Sequence, residues 1–230
     1  PNATHNILEE LFSYFVRVDE RFSTYKPTSE IMQINRHELA PAAWSSETQE
    51  VFALAEQTKK ETQGFFDIQK PDGSWDPSGI VKGWAINNAA DLLVHCGVEN
   101  FSIEAGGDIQ TRGKNAEGGE WRIGIQNPFS PKEIVKVVYP KGLGVATSGT
   151  YVRGEHIYNP HSPQTPPSGI ISMTVLGPNV CEADRMATAA FAMGGAGVAF
   201  IENLPGFEAY QIDRGGMATM TNGFSNYTTI

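Results

Sequence analysis

The sequence is poor in cysteine, in long apolar runs and in positive charge, and each shortage excludes a class of protein. Two cysteines, Cys96 and Cys181, occur among 230 residues, which excludes a disulfide scaffold and a CxxC motif. No apolar run reaches the roughly 18 residues of a membrane-spanning helix, so we expect no integral membrane segment. The net charge of −9, from 17 basic and 26 acidic residues, argues against a nucleic-acid-binding protein.

The acidic balance also constrains how a phosphate-bearing ligand is held. Because the overall field repels anions, such a ligand needs local cations, a metal ion or backbone amides. The composition, 40% hydrophobic and 19% charged, is ordinary for a globular protein. The chain has no internal repeat, low-complexity tract or composition shift that marks a linker, so residues 1–230 are predicted to form a single domain.

Apolar periodicity predicts a mixture of helices and strands. Helices are predicted at residues 7–18, 46–62, 182–193 and 198–203, and another ends at Gly97. A short helix capped by Thr28 or Ser29 runs to Asn35, and Ser45 or Ser46 caps the helix at 46–62. Strands are predicted within 101–111 as two pieces, and at 121–126, 134–139, 144–151, 170–176, 208–213 and 217–221. Because the strands do not alternate regularly with helices, we predict an α+β fold with mostly antiparallel strands. Gly113–Gly119 is predicted to be a hairpin loop, and Cys96 a small core residue.

The helix at residues 182–193 carries the first candidate site. Asp184 and Thr188 are four residues apart and therefore lie on one helical face. A carboxylate and a hydroxyl are hard oxygen donors of the kind that Mg²⁺ prefers. An alternative stays open at this point: Asp184 is an ordinary acid in a first helical turn, and Thr188 only packs.

A second candidate is the loop that contains Asp76, Gly79 and Lys82 and runs into a helix. Free amides at a helix N-terminus favour anions, and a lysine adds positive charge, so this loop predicts a phosphate or pyrophosphate site. It is not a Walker A loop, because the GxxxxGK[ST] spacing is absent. The alternative is an ordinary helix start with a solvated lysine.

Two further candidates are the Gly106-Gly107-Asp108 turn and His156. The glycines indicate either a close approach of the backbone to a ligand or a simple bulge. A histidine is a suitable acid or base for phosphoryl transfer, although a lone histidine more often makes a structural hydrogen bond.

In this order along the chain, the motifs resemble those of the ApbE family, the FAD:protein FMN transferases. The matching stretches are 22–31 with Asn35, 64–67, 76–83, 104–109, 145–149 with Tyr151, 156–160 and 182–188. The resemblance implies Mg²⁺-dependent transfer of the FMN moiety of FAD to a Ser or Thr hydroxyl of an acceptor flavoprotein, with release of AMP. Family members that hydrolyse FAD to FMN and AMP, and a non-catalytic flavin-binding protein, are the alternatives.

The resemblance also implies roles for individual residues. The metal ligands would be the Asp184 carboxylate, the Thr188 hydroxyl and the main-chain oxygen of Gly79. The FAD site would be lined by Tyr25, Phe65, Phe66, Asp67, Asp76, Lys82 and the segment His156-Ile157. His156 matches the family's catalytic base, with Asp108 or Asp184 as alternatives for that role.

The sequence departs from the family pattern in four places. The strand with a Met-Gly-Thr segment that usually opens the family does not precede Ile7, and only eight residues separate Asp67 from Asp76. Phe65 replaces a small residue, and Asn159 replaces an aspartate. We expect the shortened face either to leave the flavin more exposed or to be completed by a partner chain. The resemblance favours the bacterial periplasm or cell envelope, and a cytoplasmic location stays open because no signal peptide is visible.

Overall fold

The structure is a computed structural model that describes residues 2–150, 157–163 and 169–228. The helices in these ranges are α1 (Asn2–Phe22), α2 (Glu30–Asn35), α3 (Ser46–Glu61), α4 (Ser78–His95), α5 (Val180–Ala192) and α6 (Gly197–Glu202). The strands are β1 (Phe101–Ala105), β2 (Asp108–Arg112), β3 (Ile123–Asn127), β4 (Ser130–Val138), β5 (Gly144–Gly149), β6 (Ile170–Gly177), β7 (Glu208–Asp213) and β8 (Ala218–Met220). Among the described residues, no helix is long and apolar enough to cross a membrane.

Six strands form one antiparallel sheet, and two form a separate ribbon. The sheet has the order β1-β2-β5-β6-β7-β8, and among the described strands β3 pairs with β4 alone. The predicted α+β class is therefore confirmed. The predicted hairpin loop at Gly113–Gly119 is wrong, because it joins β2 to β3, which lie in different sheets. A sequence pattern identifies a polar loop but does not identify the partners of the strands on either side.

Serine side chains cap the N-termini of two helices, α2 and α3, as the sequence predicts. Ser29 Oγ accepts a hydrogen bond from the Met32 amide at 3.2 Å, and Ser45 Oγ accepts one from Thr48 at 3.2 Å. Each such cap stabilises a helix start by about 1 kcal/mol. Glu30 then joins α2 to α3, since its carboxylate accepts bonds from both the amide and the hydroxyl of Ser45 at 2.7 Å.

Helix α5 lies at the centre of the molecule, between α4 on one side and strands β5 and β6 on the other. Its small residues Ala183, Ala187 and Ala190 are fully buried, which allows the neighbouring elements to approach closely. The cysteines differ from the prediction: Cys96 follows α4 and is exposed, whereas Cys181 at the start of α5 is buried. Cys96 is outside the core because it is the C-cap residue, where the buried face of the helix ends.

Helices α4 and α5 come into direct contact at Gly83. A Cβ atom at this position would lie 2.6 Å from the Asp184 Cβ and 2.9 Å from the Val180 carbonyl oxygen, distances that non-bonded atoms do not tolerate. The absence of a side chain lets the Gly83 amide donate a hydrogen bond to Asp184 Oδ2 at 2.8 Å. Glycine is therefore required here by tertiary packing, although it is a poor helix former.

We expect Gly83→Ala to lower the free energy of unfolding by about 1–3 kcal/mol, because the added methyl group forces the two helices apart. Urea denaturation followed by circular dichroism measures the change. Gly195→Ala is the control, since no atom lies within 4 Å of a Cβ built there. Equal effects of the two substitutions would show that the close contact between α4 and α5 does not matter for stability.

Candidate active site

A cavity of about 1280 Å³ lies between the start of α4, the middle of α5, the loop after α3 and the β3–β4 ribbon. Small-molecule sites usually occupy about 300–1,000 Å³, so this cavity is large enough for a ligand of dinucleotide size. Its wall combines apolar side chains with a few charged ones, which is the usual composition of a ligand-binding site.

Nine of the predicted site residues line this cavity. They are Phe65, Phe66, Asp67, Asp76, Gly79, Lys82, Ile157, Asp184 and Thr188. Tyr25 differs: it lies on the loop between α1 and α2, is 93% exposed, and is not among the described residues of the cavity wall. The predicted contact of Tyr25 with FAD therefore stays a prediction. His156 lies outside the described residues, so its predicted role as catalytic base stays a prediction.

The three predicted metal ligands meet at one end of the cavity. Asp184 is 3% exposed, and its Oδ2 accepts the hydrogen bond from the Gly83 amide. Thr188 Oγ1 lies 3.4 Å from the Gly79 carbonyl oxygen and 3.4 Å from Ser148 Oγ. These distances are long for hydroxyl hydrogen bonds.

The spacing of two of these oxygens suits a magnesium ion. Neighbouring ligands of an octahedral Mg²⁺ stand about 3 Å apart, given Mg–O distances near 2.1 Å, which is close to the spacing of Thr188 Oγ1 and the Gly79 oxygen. Among the described residues, no group of three or more His, Cys, Asp or Glu side chains has the arrangement of a metal site. Mg²⁺ nevertheless often binds through one or two carboxylates together with waters and substrate phosphates.

Lys82 lies between two buried carboxylates. Its Nζ is 2.6 Å from Asp108 Oδ2 and 3.9 Å from Asp184 Oδ1. Asp108 is fully buried, and burial, together with the charge of Asp184, raises its pKa well above the usual range, although Lys82 and the Thr147 amide oppose this shift. The sequence placed Lys82 near a phosphate; the structure shows that it also neutralises these acids. Repulsion between the two carboxylates favours a further cation beside them.

Asp67 and Asp76 also line the cavity, and each has a lysine partner. Lys59 Nζ lies 2.7 Å from Asp67 Oδ2, and Lys70 Nζ lies 3.6 Å from Asp76 Oδ2. Asp76 Oδ1 also accepts a hydrogen bond from the Ser78 amide at 3.1 Å, in the first turn of α4. The two acids therefore fix the loops that carry them and contribute little net charge to the cavity.

Several residues of the cavity wall were missed by the sequence reasoning. The main group comes from the ribbon and its neighbours: Arg122, Ile123, Gly124, Ile125, Gln126, Ile134, Val137 and Tyr139. Tyr158 and Glu104 also line the cavity, and they lie within the stretches 156–160 and 104–109 that match the family motifs. Alternation predicts that residues 121–126 form a strand, but no local pattern shows that this strand faces α4 and α5.

Comparison with known proteins decides the family. The sequence profile of the ApbE family matches residues 2–70 and 69–211. The chain belongs to the ApbE family. The resemblance predicted from the seven motifs is thereby confirmed.

Curated relatives carry the name FAD:protein FMN transferase. The Vibrio cholerae relative is 34% identical over 152 residues, which are 61% of this chain and 46% of the relative. The Escherichia coli K12 relative is 28% identical over 163 residues, 67% of this chain and 46% of the relative. The chain thus matches about half the length of these two relatives. The Haemophilus influenzae relative is 24% identical over 286 aligned positions, 96% of this chain and 83% of the relative.

Solved structures of the family share the fold. The flavin transferase ApbE from Vibrio cholerae superposes with a TM-score of 0.85 at 25% identity, covering 97% of this chain and 90% of that one. The ApbE protein from Thermotoga maritima superposes with a TM-score of 0.85 at 23% identity, covering 98% and 92%. The α+β architecture described above is therefore the architecture of ApbE-family proteins.

We expect Lys82→Met to lower the free energy of unfolding at pH 7 by about 3–5 kcal/mol, because it leaves Asp108 and Asp184 buried without their cation. Urea denaturation measures the loss. Adding Asp108→Asn should recover part of it, since the amide carries no charge. Lys60→Met is the control, because Lys60 forms an exposed ion pair with Glu56, one turn earlier on α3, worth at most about 1 kcal/mol. A loss no larger than that of the control would contradict the prediction.

Proposed function

We propose that the protein transfers the FMN moiety of FAD to a Ser or Thr hydroxyl of an acceptor flavoprotein, releases AMP, and depends on Mg²⁺. One observation carries the proposal: the oxygens of Gly79, Asp184 and Thr188 gather beside Lys82 in a cavity of about 1280 Å³. The names of the curated relatives support FAD as the substrate. The type of acceptor hydroxyl and the release of AMP are proposals from the family resemblance, and the metal is a proposal from the resemblance together with the oxygen ligands of this site.

The reaction replaces the phosphoanhydride bond between the FMN and AMP halves of FAD with a phosphoester bond to the acceptor. The acceptor oxygen attacks the phosphorus atom of the FMN half of FAD, and the bond from that phosphorus to the AMP oxygen breaks. The acceptor proton passes to a base, and AMP leaves with the electron pair of the broken bond. A bound Mg²⁺ would neutralise negative charge on the pyrophosphate as this bond breaks.

Different residues would bind the pyrophosphate and the ring system of FAD. Asp184, Thr188 and the Gly79 carbonyl would bind the metal, and Lys82, whose side chain is 25% exposed, presents positive charge at the same end. The positive end of the α4 helix dipole adds to the attraction for phosphate oxygens. Phe65, Phe66 and Ile157 supply the apolar surface that a planar ring system requires.

His156 is the proposed base. Asp108 and Asp184 were the alternatives from the sequence, and their surroundings argue against both. Asp108 is fully buried against Lys82, and Asp184 is occupied by the Gly83 amide and would bind the metal. A histidine activates a hydroxyl nucleophile near neutral pH without such burial.

A single assay tests the proposal against its alternatives. The protein is incubated with FAD, Mg²⁺ and an acceptor flavoprotein domain that carries a target threonine; AMP and protein-bound flavin are then measured by chromatography and mass spectrometry. Equal amounts of AMP and covalent flavin support transfer. Release of AMP at the same rate in the absence of the acceptor indicates an FAD pyrophosphatase. Binding of FAD without release of AMP, whichever metal is added, indicates a non-catalytic flavin-binding protein. Both of these results overturn the proposal.

Asp184→Ala should reduce Mg²⁺-dependent AMP release at least about 100-fold, since it removes the carboxylate ligand, and even outer-shell changes cost 10–100-fold. The rate is measured as a function of Mg²⁺ concentration. Asp91→Ala is the matched control, because Asp91 lies on the exposed face of α4, where it accepts a bond from Asn87. Unchanged activity of the Asp184 variant would contradict the metal assignment.

A further inference from the structure

Arg185 follows Asp184 on α5 and is 4% exposed. Its guanidinium group forms hydrogen-bonded ion pairs with Glu182, one turn earlier on the same helix, and with Glu61 at the end of α3. It also donates to Thr58 Oγ1 at 3.3 Å. One buried cation therefore joins the start of α5 to the last turn of α3.

The last turn of α3 continues directly into the cavity wall. Thr62, which is fully buried, donates a hydrogen bond to the Thr58 carbonyl oxygen at 2.7 Å. The same hydroxyl accepts a bond from the Phe66 amide at 3.1 Å. The backbone of the Phe65–Asp67 segment is therefore tied to the turn of α3 that Arg185 binds.

Phe66 completes a closed path around the metal ligands. Its Cε2 atom would lie 3.3 Å from a Cβ built on Gly79, so the ring packs against the backbone of that residue. The Gly79 carbonyl oxygen in turn accepts the hydrogen bond of Thr188, one turn along α5 from Asp184. The path runs from Arg185 through α3, Phe66 and Gly79 and returns to α5.

We infer that Arg185 is a positioning residue of the active site, and this inference rests on the proposed function. It fixes the distance between α5, which carries Asp184 and Thr188, and the Phe65–Asp67 wall, against which Gly79 packs. Arg185 does not line the cavity, so it acts through the residues that it holds. Its planar group reaches two carboxylates and a hydroxyl at once, and a lysine ammonium does not reproduce this fork.

A purely stabilising role is the competing explanation. The Glu61 and Glu182 side chains are 37% and 26% exposed, so both carboxylates remain partly hydrated when the arginine is removed. Arg185→Met, which keeps the apolar length of the side chain, is therefore expected to fold. The substitution should therefore change the geometry of the cavity wall more than the stability of the whole fold.

The test compares Arg185→Met and Arg185→Lys with Arg21→Met. Arg21 is a matched control, because it also joins two glutamates, Glu30 and Glu47, but lies between α1, α2 and α3. Flavin fluorescence gives the FAD dissociation constant at a series of Mg²⁺ concentrations, and hydrogen exchange gives the protection of the Phe66 and Asp67 amides without any ligand.

We expect both Arg185 variants to need at least about 10-fold more Mg²⁺ for half-maximal FAD binding, in line with other outer-shell changes, and to lose protection at the Phe66 amide. Arg21→Met should change neither. Thr62→Val, which removes no charge, should reproduce the loss of protection at the Phe66 amide. It should also raise the Mg²⁺ concentration needed for half-maximal FAD binding. This variant also gives a result if both Arg185 variants fail to fold.

Two outcomes overturn the inference. In the first, the Arg185 variants or Thr62→Val keep the Mg²⁺ dependence and the amide protection of the unaltered protein. In the second, Arg21→Met changes both quantities as much as the Arg185 variants do. Failure of the proposed function looks different: the unaltered protein then fails to form equal amounts of AMP and covalent flavin in the transfer assay, while hydrogen exchange still reports whether Arg185 holds Phe66.

Discussion

The close contact between α4 and α5 at Gly83 is the constraint on which the candidate site depends. It brings the start of one helix, with Gly79 and Lys82, to the face of the other that carries Asp184 and Thr188. The bond from the Gly83 amide to Asp184 Oδ2, at 2.8 Å, orients the carboxylate before any ligand binds. A preoriented ligand binds a metal without the cost of ordering its side chain first.

Buried charge is the second constraint, and it links the sheet to this pair of helices. Asp108 begins β2, and Lys82 reaches it from α4 while remaining 3.9 Å from Asp184. The Lys82 ammonium group thus interacts with both carboxylates in a region of low solvent access, where electrostatic interactions are strong. The arrangement holds the sheet against both helices and leaves a negative potential at the end of the cavity where the metal is proposed to bind.

The sequence predicted what depends on spacing within one element. The i, i+4 pair of Asp184 and Thr188, the serine caps and most strands were found because periodicity and capping are local. The contacts of Lys82 with Asp108 and of Arg185 with Glu61 join residues far apart in the chain, and no local pattern contains them. Tyr25 shows the limit of a motif match: it predicts a contact with FAD, whereas the structure places the side chain 93% exposed on a loop, and the contact stays a prediction.

The shortened segment between Asp67 and Asp76 shows how the cavity keeps a defined wall. Gln69 and Trp75 form a β-bridge, and the Asn35 side chain bonds to both the amide and the carbonyl of Trp75, at 2.7 and 3.0 Å. Asn35 thereby makes the two backbone hydrogen bonds that a neighbouring strand would otherwise make. Because the turn is closed by its own backbone and by α2, it holds Asp76 beside the first turn of α4 without a long loop, and this side of the cavity is set before a ligand arrives.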